Sequence, residues 1–187
     1  GRIQFSIDRD KPFSLFSEVK VNGKAMTDGG SVAYTDAWGE QPRYTAAKPS
    51  SVVVEYAGPM RTTICVRGPF QGDENTGLKY IARVTAWAGK SQVYVTFKLS
   101  NSNPDHYCYR QIKDYSISLN LNGNPSGTML GAAKPLSAGP TASLTAGLRS
   151  RADGSAKAVS SGNEIWSSSG AEDKPQGWIL ARIGNAA

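Results

Sequence analysis

Histidine and cysteine are scarce in this sequence. Its 187 residues include one histidine, His106, and two cysteines, Cys65 and Cys108. One histidine leaves almost no material for a histidine-based metal site, and neither cysteine has the Cys-x-x-Cys spacing of zinc or thioredoxin-like sites. We therefore assign no metal site. Cys65 and Cys108 would form one disulfide in an exported protein or stay free thiols in a cytosolic one, and their spacing fits both.

Long apolar runs and runs of basic residues are also missing. The longest purely apolar run spans four residues, far short of the roughly 18 that a transmembrane helix needs, so we expect no membrane partner. Lysine and arginine number 21 against 15 acidic residues, a net charge of +6, which favours an anionic partner or simply keeps a small domain soluble. No two basic residues are adjacent, which argues against a nucleic-acid partner.

Strand-like alternation replaces helical periodicity along most of the chain. Apolar and polar residues alternate, with the period of two that is typical of half-buried strands, over residues 60–66, 78–86, 93–99 and 115–121. The pattern predicts an all-β fold, an antiparallel β-sandwich with long Gly/Ser/Pro loops, in which these four stripes form one buried core. Further strands are predicted over 3–7, 13–21 and 51–56, and Asn22-Gly23 is predicted to form a hairpin turn.

Residues 122–187 differ in composition from the rest. Glycine, alanine and serine fill 32 of these 66 positions, which suits a flexible linker or weak strands with long loops. We favour a single domain spanning 1–187, and we expect it to be excised from a longer multidomain protein because the chain opens inside a strand-like segment. The weak strands are predicted at 142–148, 156–159, 164–166 and 178–183.

Three segments carry a resemblance to a known family. They are VVVEYAGPMRTTICVRG at 52–68, ARVTAWAGKSQVYVTFKLSN at 82–101 and QGWILARI at 176–183. Together they resemble the exo-rhamnogalacturonan lyase-like proteins and, more loosely, the sandwich domains of the galactose-mutarotase-like superfamily. The resemblance implies the central β-sandwich of a secreted, extracellular or periplasmic carbohydrate-active protein that meets an acidic polysaccharide or oligosaccharide of the pectin type. In that family a helical toroid is taken to be the catalytic platform. This sequence has no segment for such a toroid, so we expect an ancillary domain that contacts flanking domains of the same chain.

Five side chains on the predicted polar strand faces suit an acidic sugar. Arg61, Arg83 and Lys98 supply positive groups for uronate carboxylates, while Trp87 and Tyr94 supply aromatic surfaces for apolar sugar faces. If the strands pair as hairpins, all five share one face of a sheet. Two other interpretations of this face are open. It is an ordinary solvated face covered by the aliphatic stems of arginine and lysine, or it is an interface with another domain.

Other polar clusters have simpler interpretations than catalysis. The loop 101–111 places His106 beside Asp105 and two tyrosines, which is an acid–base cluster or merely an exposed loop. Glu55 and Arg61 are predicted to form an ion pair at a strand end. No cofactor is assigned, although acidic turns at 28–30 and 72–75 would suit calcium.

These observations leave three functions open. We favour a non-catalytic carbohydrate-binding or scaffolding domain of a polysaccharide-degrading protein. The second is part of a polysaccharide lyase or glycoside hydrolase whose catalytic residues lie outside this chain, and the third is a structural β-rich surface or fibre module. We assign no catalytic residue within the chain.

Overall fold

Strands account for all of the regular structure among the residues that a computed structural model of the chain describes. It describes residues 3–37, 40, 42–72, 78–101 and 112–122, together with the backbone of six later strands. Every strand pair is antiparallel, and none of the described residues forms a helix that could cross a membrane. The chain divides into two compact units, Gly1–Asn122 and Gly123–Ala187, whereas the sequence pattern favoured one domain.

The first sheet of the first unit is organised around one long strand. β3 (Lys24–Asp36) pairs along one side with β9 (Ile112–Leu121). Its other side pairs with β2 (Glu18–Val21) over its first half and with β4 (Arg43–Thr45) over its second half. β1 (Ile3–Ser6) pairs with β2 and completes the five strands.

The second sheet is a meander in which each strand pairs with the next one in sequence. Its order is β5 (Ser51–Ala57), β6 (Arg61–Pro69), β7 (Leu78–Trp87) and β8 (Val93–Asn101). The alternation in β7 is clear, because its buried residues alternate with more exposed ones from Leu78 onward. The predictions of an all-β sandwich and of strands at 78–86 and 93–99 are therefore confirmed.

The core lies between these two sheets and is rich in aromatic rings. Tyr34 of β3 and Tyr80 of β7 are both fully buried. Phe70 contacts both of them edge to face, with ring centroids 4.8 and 5.7 Å away, and Phe13 stacks on Tyr80 at 4.9 Å. Such aromatic pairs add to the free energy gained from burial. They also connect residues that are far apart in sequence.

The predicted core was partly wrong. The stripe of β9 at 115–121 is half exposed, with Leu119 at 41% and Leu121 at 43%, because among the described strands β9 pairs with β3 alone and lies at the sheet edge. Met60 is 70% exposed and precedes β6. In place of these stripes, a non-strand segment that contains Phe13, Leu15 and Phe16 is buried, along with Val32 and Tyr34 of β3.

Two turn predictions had different outcomes. Asn22 and Gly23 have φ values of 52° and 79°, as the predicted hairpin turn between β2 and β3 requires. The segment 28–30, predicted to be an acidic turn, instead lies inside β3, where the pairing with β9 shifts register and Thr27 Oγ1 donates to the Gly29 carbonyl at 3.0 Å. No metal-ligand group of three or more histidine, cysteine or acidic residues occurs within the described residues, and residues 73–75 lie outside them.

The second unit consists of two three-stranded sheets. One contains β10 (Pro125–Gly131), β11 (Pro135–Ala138) and β15 (Ile179–Ile183). The other contains β12 (Ala142–Gly147), β13 (Ser155–Ser160) and β14 (Asn163–Ser168). The four weak strands predicted here are confirmed, whereas β10 and β11 were not predicted.

Candidate ligand-binding face

The second sheet has one face on the core and one face turned away from it, here called the outer face. The pairing register sorts its side chains into rows that cross the strands. All five residues predicted to bind ligand are in these rows. The rows are Arg61–Trp87, then Tyr56–Thr63–Thr85–Tyr94, then Val53–Cys65–Arg83–Thr96, and finally Ser51–Arg67–Ile81–Lys98.

Three exposed aromatic side chains lie towards the end of the outer face next to the β7–β8 turn, Tyr56 on β5 at one edge and Trp87 and Tyr94 on β7 and β8. Trp87 is 39% exposed, Tyr94 61% and Tyr56 47%. Between the two tyrosines, the hydroxyls of Thr63 and Thr85 form a hydrogen bond of 3.0 Å. We call Tyr56, Trp87 and Tyr94 the aromatic end.

Arg61 belongs to the aromatic end by contact. Its guanidinium carbon lies 4.5 Å from the centre of the Tyr56 ring, which is cation–π geometry. The predicted Glu55–Arg61 ion pair is wrong, because the ion pairs of Glu55 among the described residues are with Arg67 and Arg83. The Arg61 guanidinium thus lies against an exposed ring.

Glu55 pairs with two other arginines. Arg83 donates from Nε to Oε2 at 2.7 Å and from a terminal nitrogen to Oε1 at 2.9 Å, a bidentate contact, and Arg67 donates to Oε1 at 3.5 Å. The hydrogen bonds from Arg83 lower the pKa of Glu55, and Glu55 in turn raises the pKa of Arg83. The sheet brings them together because a register irregularity at Val54–Tyr56 adds a residue to β5.

Cys65 lies beneath this ion-pair cluster. Its side chain is buried, with 2% exposure, and is a free thiol. Burial raises the pKa of Cys65, and a hydrogen bond with Glu55 adds to the effect, so the thiol is a poor nucleophile. The free thiol of Cys65 does not support the predicted disulfide with Cys108, a residue that lies outside those described. His106 and Asp105 lie outside the described residues as well.

Sequence reasoning missed two members of this face. Tyr56 was counted only as the end of an apolar strand, and Glu55 was paired with the nearer arginine in sequence. The bulge and the β5–β6–β7 register decide both contacts. One feature of the sequence could have indicated the partners of Glu55. This glutamate follows three valines in an edge strand, and an isolated charge at such a position needs a partner on a neighbouring strand.

Comparison of the chain with protein-family models, curated proteins and solved structures finds no match. The resemblance noted from the sequence stays a prediction for that reason.

Proposed function

We propose that the outer face of the second sheet binds an acidic glycan. In this proposal the chain is a non-catalytic module of a polysaccharide-degrading protein, attached to flanking domains. The observation that carries the proposal is the aromatic end, where three exposed rings lie on one sheet face with the cation of Arg61 among them.

The aromatic end suits the apolar faces of sugar rings. Exposed Trp87 and Tyr94 are on neighbouring strands, which run roughly 4.8 Å apart. Indole and phenol rings offer large apolar surfaces together with a polar edge. The hydroxyls of Thr63 and Thr85 lie in the same row as Tyr94 and supply hydrogen-bonding groups beside the rings.

Two cations on this face remain able to meet carboxylates. Lys98 is exposed and has no ion pair among the described residues, and the guanidinium of Arg61 lies over the Tyr56 ring and likewise has no ion pair there. Arg83 already binds Glu55 in bidentate fashion. We therefore propose that it stabilises the sheet and does not contact the ligand. Because the face is open to water, we expect affinities on the order of micromolar to millimolar that weaken as salt rises.

The titratable groups of the outer face support binding better than catalysis. A general base works best when its pKa lies near the working pH. The pKa of Glu55 is lowered by the Arg83 hydrogen bonds, and burial keeps Cys65 in the protonated form. We propose an extracellular or periplasmic location because polymeric acidic glycans are met there.

Calorimetric titration with oligogalacturonate and with a neutral oligosaccharide tests this proposal. Trp87→Ala should weaken binding of both sugars, because it removes stacking surface. Arg61→Gln should weaken the acidic sugar alone. Tyr94→Phe keeps the ring and should retain most of the affinity.

Lys24→Gln is the matched control for charge, because Lys24 is exposed on β3 of the other sheet. It should leave both affinities unchanged. Equal loss for Lys24→Gln and Arg61→Gln would mean that net charge attracts the sugar and that the outer face is not its site.

A further inference from the structure

A polar cleft of about 410 Å³ lies beside the start of β5, at the end of this strand opposite to Tyr56. Its volume is in the range of sites for small molecules. Its lining includes Arg9, Asp10, Lys48, Ser50, Ser51 and Val52. It involves none of the residues of the aromatic end.

The charges in the cleft leave a positive group available. Arg9 has no ion pair among the described residues, whereas Lys48 and Asp10 pair at 3.2 Å. Their side chains are 60% and 69% exposed, and exposed pairs of this kind contribute little stability, so a ligand can replace one partner. Two cations and one carboxylate give the cleft a local charge of about +1, which suits a single negative charge on the ligand.

The neutral groups of the cleft add hydrogen-bonding capacity. The hydroxyl of Ser50 donates to the Arg67 carbonyl at 3.1 Å, which leaves its oxygen able to accept. Ser51 supplies a second hydroxyl. The backbone N–H of Asp10 donates to Asp8 at 2.8 Å, a local bond that shapes the loop carrying the Asp10 carboxylate.

We propose that this cleft binds a small sugar acid, a molecule with one carboxylate and several hydroxyls. Arg9 and Lys48 meet the carboxylate, and Asp10 accepts hydrogen bonds from the hydroxyls. The Asp10 charge disfavours a dianion such as phosphate, and the polar lining disfavours an apolar acid. This site does not depend on glycan binding by the outer face.

Titration of the full chain with monomeric galacturonate, followed by NMR, tests the proposal. Galactose, acetate and inorganic phosphate serve as comparison ligands, and each should bind more weakly than galacturonate. Arg9→Gln and Lys48→Gln should each weaken galacturonate by about twofold to fivefold, the range for exposed charge pairs. Asp10→Asn should reduce the preference for galacturonate over acetate, while Lys24→Gln should change nothing.

The same titration separates this site from the outer face. Trp87→Ala should leave galacturonate binding intact. Loss of binding in Trp87→Ala with no effect of Arg9→Gln would place the sugar acid on the outer face and overturn the cleft proposal. Phosphate binding as tight as galacturonate, or galactose binding equal to it, would also overturn it.

Discussion

Glu55 determines which positive groups of the outer face can bind a ligand. Its carboxylate accepts two hydrogen bonds from the guanidinium of Arg83 and one from Arg67. Arg61 and Lys98 have no such partner among the described residues. We therefore propose that these two side chains would make the contacts to an acidic sugar.

Replacing Glu55 should make stability less dependent on pH in the acid range. Because the folded-state pKa of Glu55 is lowered, its pairing stabilises the fold above the ordinary glutamate pKa of about 4.3 and is lost as the pH falls through the folded-state pKa. Glu55→Gln should melt below wild type at neutral pH, and the two should converge in acid. Thermal melts across this range measure the difference.

Glu18→Gln is a suitable control for the Glu55 prediction, since among the described residues Glu18 pairs with one cation, Lys20 at 2.8 Å, on the half-buried strand β2. It should show a smaller difference from wild type at neutral pH. A Glu55→Gln protein that differs from wild type equally at every pH would contradict the prediction.

Residue types were easier to predict from the sequence than residue partners. Trp87, Tyr94 and Lys98 were placed on one face from alternation together with the assumption of hairpin pairing, because strand side chains alternate with a period of two. The partner of Arg83 depends on the bulge in β5 and on the register of three strands. Neither has a local signal in the sequence.

At the scale of the element, the packing of β6 against β7 requires a residue without a side chain at position 68. Gly68 faces Tyr80 across the pair, and a Cβ there would contact the Tyr80 hydroxyl and lie 2.6 Å from the adjacent ring carbon. The hydroxyl donates to the Ala47 carbonyl at 2.9 Å, and burial raises the pKa of Tyr80, which keeps the donor protonated. The glycine thus leaves room for a buried and hydrogen-bonded ring.

Gly68→Ala should destabilise the protein by about 1–3 kcal/mol, the usual cost of overpacking a core. Urea unfolding measures it. In a Tyr80→Leu background the added methyl has more room, so the cost of Gly68→Ala should shrink. An unchanged cost in that background would show that the methyl group does not act through Tyr80.

Elements with strong local patterns were predicted well and the others were not. β7 was predicted with its observed start because buried and exposed residues alternate along it. β3 was not predicted, since Asp28-Gly29-Gly30 interrupts its pattern with residues that favour turns. The pairing of β3 with β9 along most of its length stabilises a strand that these residues disfavour.

For the whole molecule, the core depends on contacts between distant segments. Phe13, which precedes β2, stacks on Tyr80 of β7, and Tyr34 reaches the same cluster through Phe70. Long-range packing of this kind has no periodic signature. This is why the sequence predicted the stripes of the second sheet and missed the residues that cover them.

Val84→Asp should unfold the first unit, whereas Val95→Asp should be milder. The two valines are opposite each other on β7 and β8, but Val84 is fully buried and Val95 only partly. A buried unpaired charge is among the most destabilising single changes. Circular dichroism melts of both variants measure the difference, and equal stability would contradict the position of the core.

Chemical-shift mapping of the full chain with oligogalacturonate tests whether the outer face binds an acidic glycan. Titration in low and high salt should shift backbone amides around Arg61, Trp87, Tyr94 and Lys98, with smaller shifts in high salt because exposed charges are screened. Amides of β3 and β4 on the other sheet should not move. Shifts confined to that sheet, or none at millimolar sugar, would contradict glycan binding by the outer face.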